Sequence, residues 1–135
     1  MAREIVATNL DLHTGVCIKL LGDIPPAAEH FRVDLGKDYL NIGLHFNARF
    51  CHLNENKTII CNSIKGGVLG NERRVKRFPF VPGNRVEICI TFEGKNFKVK
   101  LPDGYELTFP NHLNLETINF LSTSGDFKLR TMNIN

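Results

Sequence analysis

Val86-Glu87-Ile88-Cys89-Ile90-Thr91-Phe92-Glu93-Gly94-Lys95-Asn96-Phe97-Lys98-Val99-Lys100-Leu101 alternates apolar and polar residues in two runs joined by four turn-forming residues. Successive strand side chains point to opposite faces, so Val86, Ile88, Ile90 and Phe92 share one face while Glu87, Cys89 and Thr91 share the other. Phe97, Val99 and Leu101 against Lys98 and Lys100 repeat the pattern. Glu93-Gly94-Lys95-Asn96 reads as a hairpin turn, and Leu101-Pro102-Asp103-Gly104 ends the second strand. The stretch predicts a β-meander with one buried and one wet face.

The same period extends outward. Leu44, Phe46, Ala48 and Phe50 form another apolar row, and Phe127 with Leu129 opens a last strand. No long segment repeats at 3.6, although Leu113 to Leu121 has room for one short helical turn. Short strands separated by turn signals predict an antiparallel sandwich or barrel. The 135 residues suit a single domain, residues 1–135. A 42% apolar fraction with 23% charged residues excludes disorder and collagen, and the +3 net charge calls for neither nucleic acid nor an acidic surface.

No run approaches the roughly 20 apolar residues of a membrane span. The first residues carry Arg3, Glu4 and Asp11, unlike a signal peptide, which places the product in the cytoplasm. Cys17, Cys51, Cys61 and Cys89 show no C-x-x-C spacing and read as free thiols, and the five histidines show no metal-ligand spacing, so no cofactor or metal is expected. Gly-x-Ser-x-Gly and phosphate-loop patterns are missing, and no enzyme is expected. Arg73-Arg74-Val75-Lys76-Arg77 is the densest positive run; read as a strand, it puts Arg73 and Arg77 on one face, where with Lys65 they could favour sulfated or sialylated ligands.

Leu44-His45-Phe46-Asn47-Ala48-Arg49-Phe50 is the most informative stretch for function, because spacing by two sets His45, Asn47 and Arg49 on the face opposite the core. Imidazole, amide and guanidinium offer directed donors and acceptors that suit a hydroxyl-rich ligand. Asn62 follows, then Glu72 and Arg74, again two apart and able to pair. Two readings stand: a sugar site, or the solvated face of an antiparallel sheet.

His45-x-Asn47-x-Arg49, Asn62, Gly70-x-Glu72-x-Arg74 and Phe78-Pro79-Phe80 resemble the carbohydrate-recognition domain of galectins, most closely its single-domain prototype members. The resemblance runs from Asn9-Leu10 and Leu35-Gly36-Lys37-Asp38 to Leu101-Pro102-Asp103-Gly104-Tyr105, Phe109-Pro110-Asn111 and Gly125-Asp126-Phe127-Lys128. It implies an all-β, jelly-roll sandwich of a five- and a six-stranded sheet whose groove binds β-galactosides such as lactose and N-acetyllactosamine without catalysis. His45, Asn47 and Arg49 would hold the axial 4-hydroxyl of galactose, Asn62 and Glu72 the 6-hydroxyl, and Arg49, Glu72 and Arg74 a network toward the next sugar.

The chain departs from the resemblance at Leu69, which stands where galectins carry the Trp that faces galactose; the chain has no Trp at all. An aromatic contact contributes roughly 0.5–1.5 kcal/mol beyond area burial, so weakened affinity is expected. Ala48 replaces the usual Pro, and Leu53 falls where many relatives have His; the neighbouring His52, on the opposite side of a regular strand, need not substitute. Ile5, Val6, Met132 and Ile134 on the terminal strands are compatible with the family's two-fold homodimer, or with capping of the chain's own core. The resemblance thus implies a dimeric lectin that cross-links glycoproteins or glycolipids, made in the cytoplasm and open to export without a signal peptide. The alternative is a galectin-fold structural or interaction module whose sugar site decayed at Leu69.

Overall fold

The computed structural model describes residues 3–135; Met1 and Ala2, the start of the N-terminal stretch read above, lie outside the described residues. Twelve strands follow one another: β1 (Arg3–Ala7), β2 (Cys17–Asp23), β3 (His30–Asp38), β4 (Asn41–His52), β5 (Glu55–Lys65), β6 (Val68–Leu69), β7 (Arg73–Val75), β8 (Arg85–Phe92), β9 (Asn96–Lys100), β10 (Glu106–Pro110), β11 (Phe120–Gly125) and β12 (Lys128–Ile134). They form two antiparallel sheets, one ordered β1-β11-β3-β4-β5-β6 with β7 also on β5, the other ordered β10-β9-β8-β2-β12.

The five-stranded sheet is as expected. The other follows a six-strand path and gains β7 as a seventh member, because two short strands share one edge of β5: β6 pairs with Ile64 and Lys65, and β7 with Ile59 to Cys61. Between them the chain dips at Gly70, where a Cβ would stand 2.8 Å from Ser63 Oγ, so a larger residue there would have to push that side chain aside.

Alternation decides the core. Phe31, Val33, Leu35, Leu44, Phe46, Ala48 and Phe50 of one sheet bury against Ile18, Leu20, Ile88, Ile90, Phe92, Phe97 and Val99 of the other. Phe31 is its aromatic centre, with ring centroids 5.0 Å from Phe127 and 5.3 Å from Phe80. The predicted helical turn within Leu113–Leu121 is not formed: bends lead to a lone bridge of Ile118 with Leu12, and Phe120 already belongs to β11. Ile118, Phe120 and Leu121 are buried individually, which rewards extended pairing over a single helical turn too short to be stable alone.

The basic run is a strand only as far as Val75. Arg73 donates to the Thr108 carbonyl on β10, and Arg77 pairs with Asp103 at 2.7 Å while its guanidinium lies 4.8 Å from the Tyr105 ring centroid. Both arginines thus tie one sheet to the other. At the far edge Asp23 of β2 joins Arg85 of β8 and Arg130 of β12, whose hydrogen bonds pull its carboxyl down to about 2.

Candidate functional site

The outer face of the larger sheet is polar because β3, β4 and β5 alternate in register. Asp34 lies opposite His45, Arg32 opposite Asn47 and His30 opposite Arg49; on the other side Asn62 lies opposite His45 and Thr58 opposite Arg49. Arg74 of β7 pairs with Ile60, between Thr58 and Asn62, which extends the same face. Residues two apart on a strand share a side, so His45, Asn47, Arg49, Asn62 and Arg74 converge on one surface.

Each group is held. Asn47 donates from Nδ2 to the Phe31 carbonyl at 2.9 Å and accepts at Oδ1 from Arg49 Nε at 2.7 Å, which orients the guanidinium along the sheet. Asn62 accepts at Oδ1 from the Ser63 N–H at 2.8 Å, leaving its amide N–H groups to donate outward. His45 Nδ1 lies 2.6 Å from an Asp34 carboxylate oxygen. Arg74 sits between two carboxylates, pairing through Nε with Glu72 and through Nη1 with Glu55. That pairing holds the Glu55 carboxyl below its ordinary range and raises Arg74, with the Glu55 bond its largest cause. Arg49 bonds Asn47 rather than joining the Glu72–Arg74 pair.

Leu69 pairs with Ile64, two residues beyond Asn62, so it stands on the same face, 61% exposed. It presents apolar surface with no ring plane. Ile5 and Val6 are about half exposed on β1, whereas Met132 and Ile134 on β12 are partly buried against the core. Among the described residues no three His, Cys, Asp or Glu side chains converge as a metal site.

Sequence reasoning overlooked a second half of the face. Asp34, Arg32 and His30 line it from β3, and Arg32 donates to Ser124 on β11 at 3.2 Å. Their signal was present in His30-Phe31-Arg32-Val33-Asp34-Leu35, another strict alternation. Glu55 had no such signal, because it meets Arg74 from the neighbouring strand, β5 beside β7. His52 also departs from expectation: its ring stacks on His30 with centroids 3.9 Å apart, and His30 Nδ1 lies 3.4 Å from Asn47 Nδ2. Phe50 and Cys51 both donate to the Glu29 carbonyl, a bulge that disturbs simple alternation at the end of β4. Burial first, then the charges of His52 and Arg32, keep His30 below the ordinary histidine value.

This constellation can direct donors and acceptors at hydroxyl groups but presents no activated nucleophile. A family model described as galactoside-binding lectin matches residues 4–134. Galectin-1 of Sus scrofa is 50% identical over 130 residues, covering 96% of each chain. Among solved structures, the chicken-liver homodimeric agglutinin CG-16 superposes with a TM-score of 0.95 at 41% identity, covering 98% of this chain and all of that one. A toad ovary galectin in complex with thio-digalactose gives 0.94 at 34% identity, covering 98% of both.

Proposed function

The chain belongs to the galactoside-binding lectin family, the galectins, and from that premise we propose that its outer polar face is a β-galactoside site within one recognition domain spanning residues 1–135. The observation that supports the placement is the convergence of His45, Asn47, Arg49, Asn62 and Arg74 on one surface, each oriented by a protein partner. An axial hydroxyl distinguishes galactose from glucose, and a face that directs polar groups at it leaves them unpaired with the wrong epimer. The protein binds sugars and is not an enzyme.

Leu69 sets the affinity. Replacement of a ring face by exposed aliphatic surface forfeits the stacking contribution, and because about 1.4 kcal/mol is tenfold, single-site binding is about tenfold weaker than with Trp. Two copies offset this. We place the homodimer at the open edges of β1 and β12, where Ile5 and Val6 are exposed and Met132 and Ile134 are half covered, so that two sites engage multivalent glycoproteins or glycolipids. The cytoplasm, with export independent of a signal peptide, is the location that fits this reading.

The test is retention on immobilised lactose. Wild type should be slowed and released by free lactose, and Leu69→Trp should be held longer. A second reading rests on Leu69 alone, namely an interaction module that has given up galactose; it becomes the better one if neither protein is retained.

A further inference from the structure

His45 raises a question of proton placement. A neutral imidazole has one N–H and one acceptor nitrogen, and which is which depends on the partner of the other nitrogen. The remaining polar groups on the face are mostly committed or donors only. Asn47 uses its oxygen on Arg49 Nε and donates to the Phe31 carbonyl, Asn62 uses its oxygen on the Ser63 N–H, and Arg49 can only donate. Glu55 and Glu72 each give one oxygen to Arg74, on the β7 side of the face. A sugar hydroxyl that receives bonds from Arg49 and Asn47 still has a proton of its own to give, and His45 Nε2, two residues from Asn47 on the same strand face, is a neutral acceptor placed for it.

We propose that Asp34 is the positioning residue that makes His45 Nε2 an acceptor, and so sets selectivity for a hydroxyl in the galactose configuration. This rests on the lectin reading above. Asp34 lies directly opposite His45 across β3 and β4, and its carboxylate oxygen is 2.6 Å from Nδ1. A carboxylate accepts only, so the ring proton resides on Nδ1 and Nε2 keeps its lone pair. No described residue bonds Nε2. The two side chains are only 18% and 19% exposed, so water competes poorly for the bond. Without the carboxylate, a neutral imidazole reverts to its solution preference, a proton on Nε2, and the acceptor becomes a donor aimed at a hydroxyl already surrounded by donors.

The decisive readout is the ring-nitrogen NMR spectrum of the free protein at neutral pH, with the His45 signals assigned by their loss in His45→Gln. The expected result is a protonated Nδ1 and a bare Nε2 in wild type and in Asp34→Asn, whose amide oxygen can still accept, and a proton on Nε2 in Asp34→Ala. In calorimetry Asp34→Ala should bind lactose about tenfold more weakly and Asp34→Asn within about threefold of wild type, as expected for one directed hydrogen bond. A bare Nδ1 in wild type, or an Asp34→Ala protein with unchanged tautomer and lactose affinity, would overturn the proposal. Failure of wild type to bind any galactoside would defeat the lectin reading instead, while the spectrum of the free ring would still decide the tautomer.

Discussion

At the scale of single residues, two leucines stand in unusual places. Leu69 gives the proposed sugar face an exposed branched side chain with no flat ring. The Leu69→Trp variant should therefore tighten lactose binding by about tenfold, read by calorimetry, and unchanged affinity would remove the stacking argument. Leu53 is strained: with Asn54 it forms the two-residue turn joining β4 and β5, at φ of 49° and 65°. A leucine in the left-handed region costs roughly 1 kcal/mol or more, while Asn tolerates it, so Leu53→Asn should stabilise the protein by about 1 kcal/mol in urea unfolding. An equal or lower midpoint would show that the turn carries no such strain. His45, Asn47 and Arg49 lie on the expected face because period-two spacing is a local property, whereas Glu55 meets Arg74 only because β7 packs beside β5, a contact that spacing does not encode.

At the scale of elements, the period of two was the most reliable signal. It placed the apolar rows of β4, β8 and β9 in the core, and it failed where the backbone ceases to be regular. The bulge at Phe50 and Cys51 precedes the His30–His52 stack, and the expected helical turn gave way to bends before β11. The stack has a consequence for pH. Burial first, and then the charges of His52, Arg32 and Arg49 set against that of Asp126, hold His30 below the ordinary histidine value. A folded-state imidazole that is harder to protonate than in the unfolded chain means that unfolding takes up protons. The associated stability is full above the ordinary histidine value and falls as pH drops below it. Thermal unfolding should thus shift downward between pH 7.5 and pH 5, and His30→Gln should shrink the shift; an undiminished shift would assign it elsewhere. Packing between elements makes a separate prediction. At Gly22 of β2 a Cβ would lie 2.3 Å from the Phe127 ring, which is buried and stacked on Phe31. Gly22→Ala should destabilise by about 1–3 kcal/mol, measured by denaturant unfolding, through overpacking rather than backbone strain.

At the scale of the whole molecule, the sandwich leaves β1 and β12 as open edges, and unpaired edges are either protected or used. The sequence indicated which residues lie there, but not whether a second copy covers them, since that depends on a surface formed only after folding. If the dimer forms at these edges, the paired change Ile5→Asp and Val6→Asp should sediment as a monomer and fail to agglutinate lactose-bearing vesicles while binding monovalent lactose normally. A dimer that persists in that variant would place the interface elsewhere. The sugar face itself belongs to this scale, because it needs β3, β4, β5 and β7 in register at once. The proposed site should prefer one configuration at a single carbon, and lactose and cellobiose differ only there. The most direct test is a calorimetric titration of the reduced protein with each: saturable binding of lactose and none of cellobiose is the predicted result, and equal heats from the two sugars, or none from either, would contradict it.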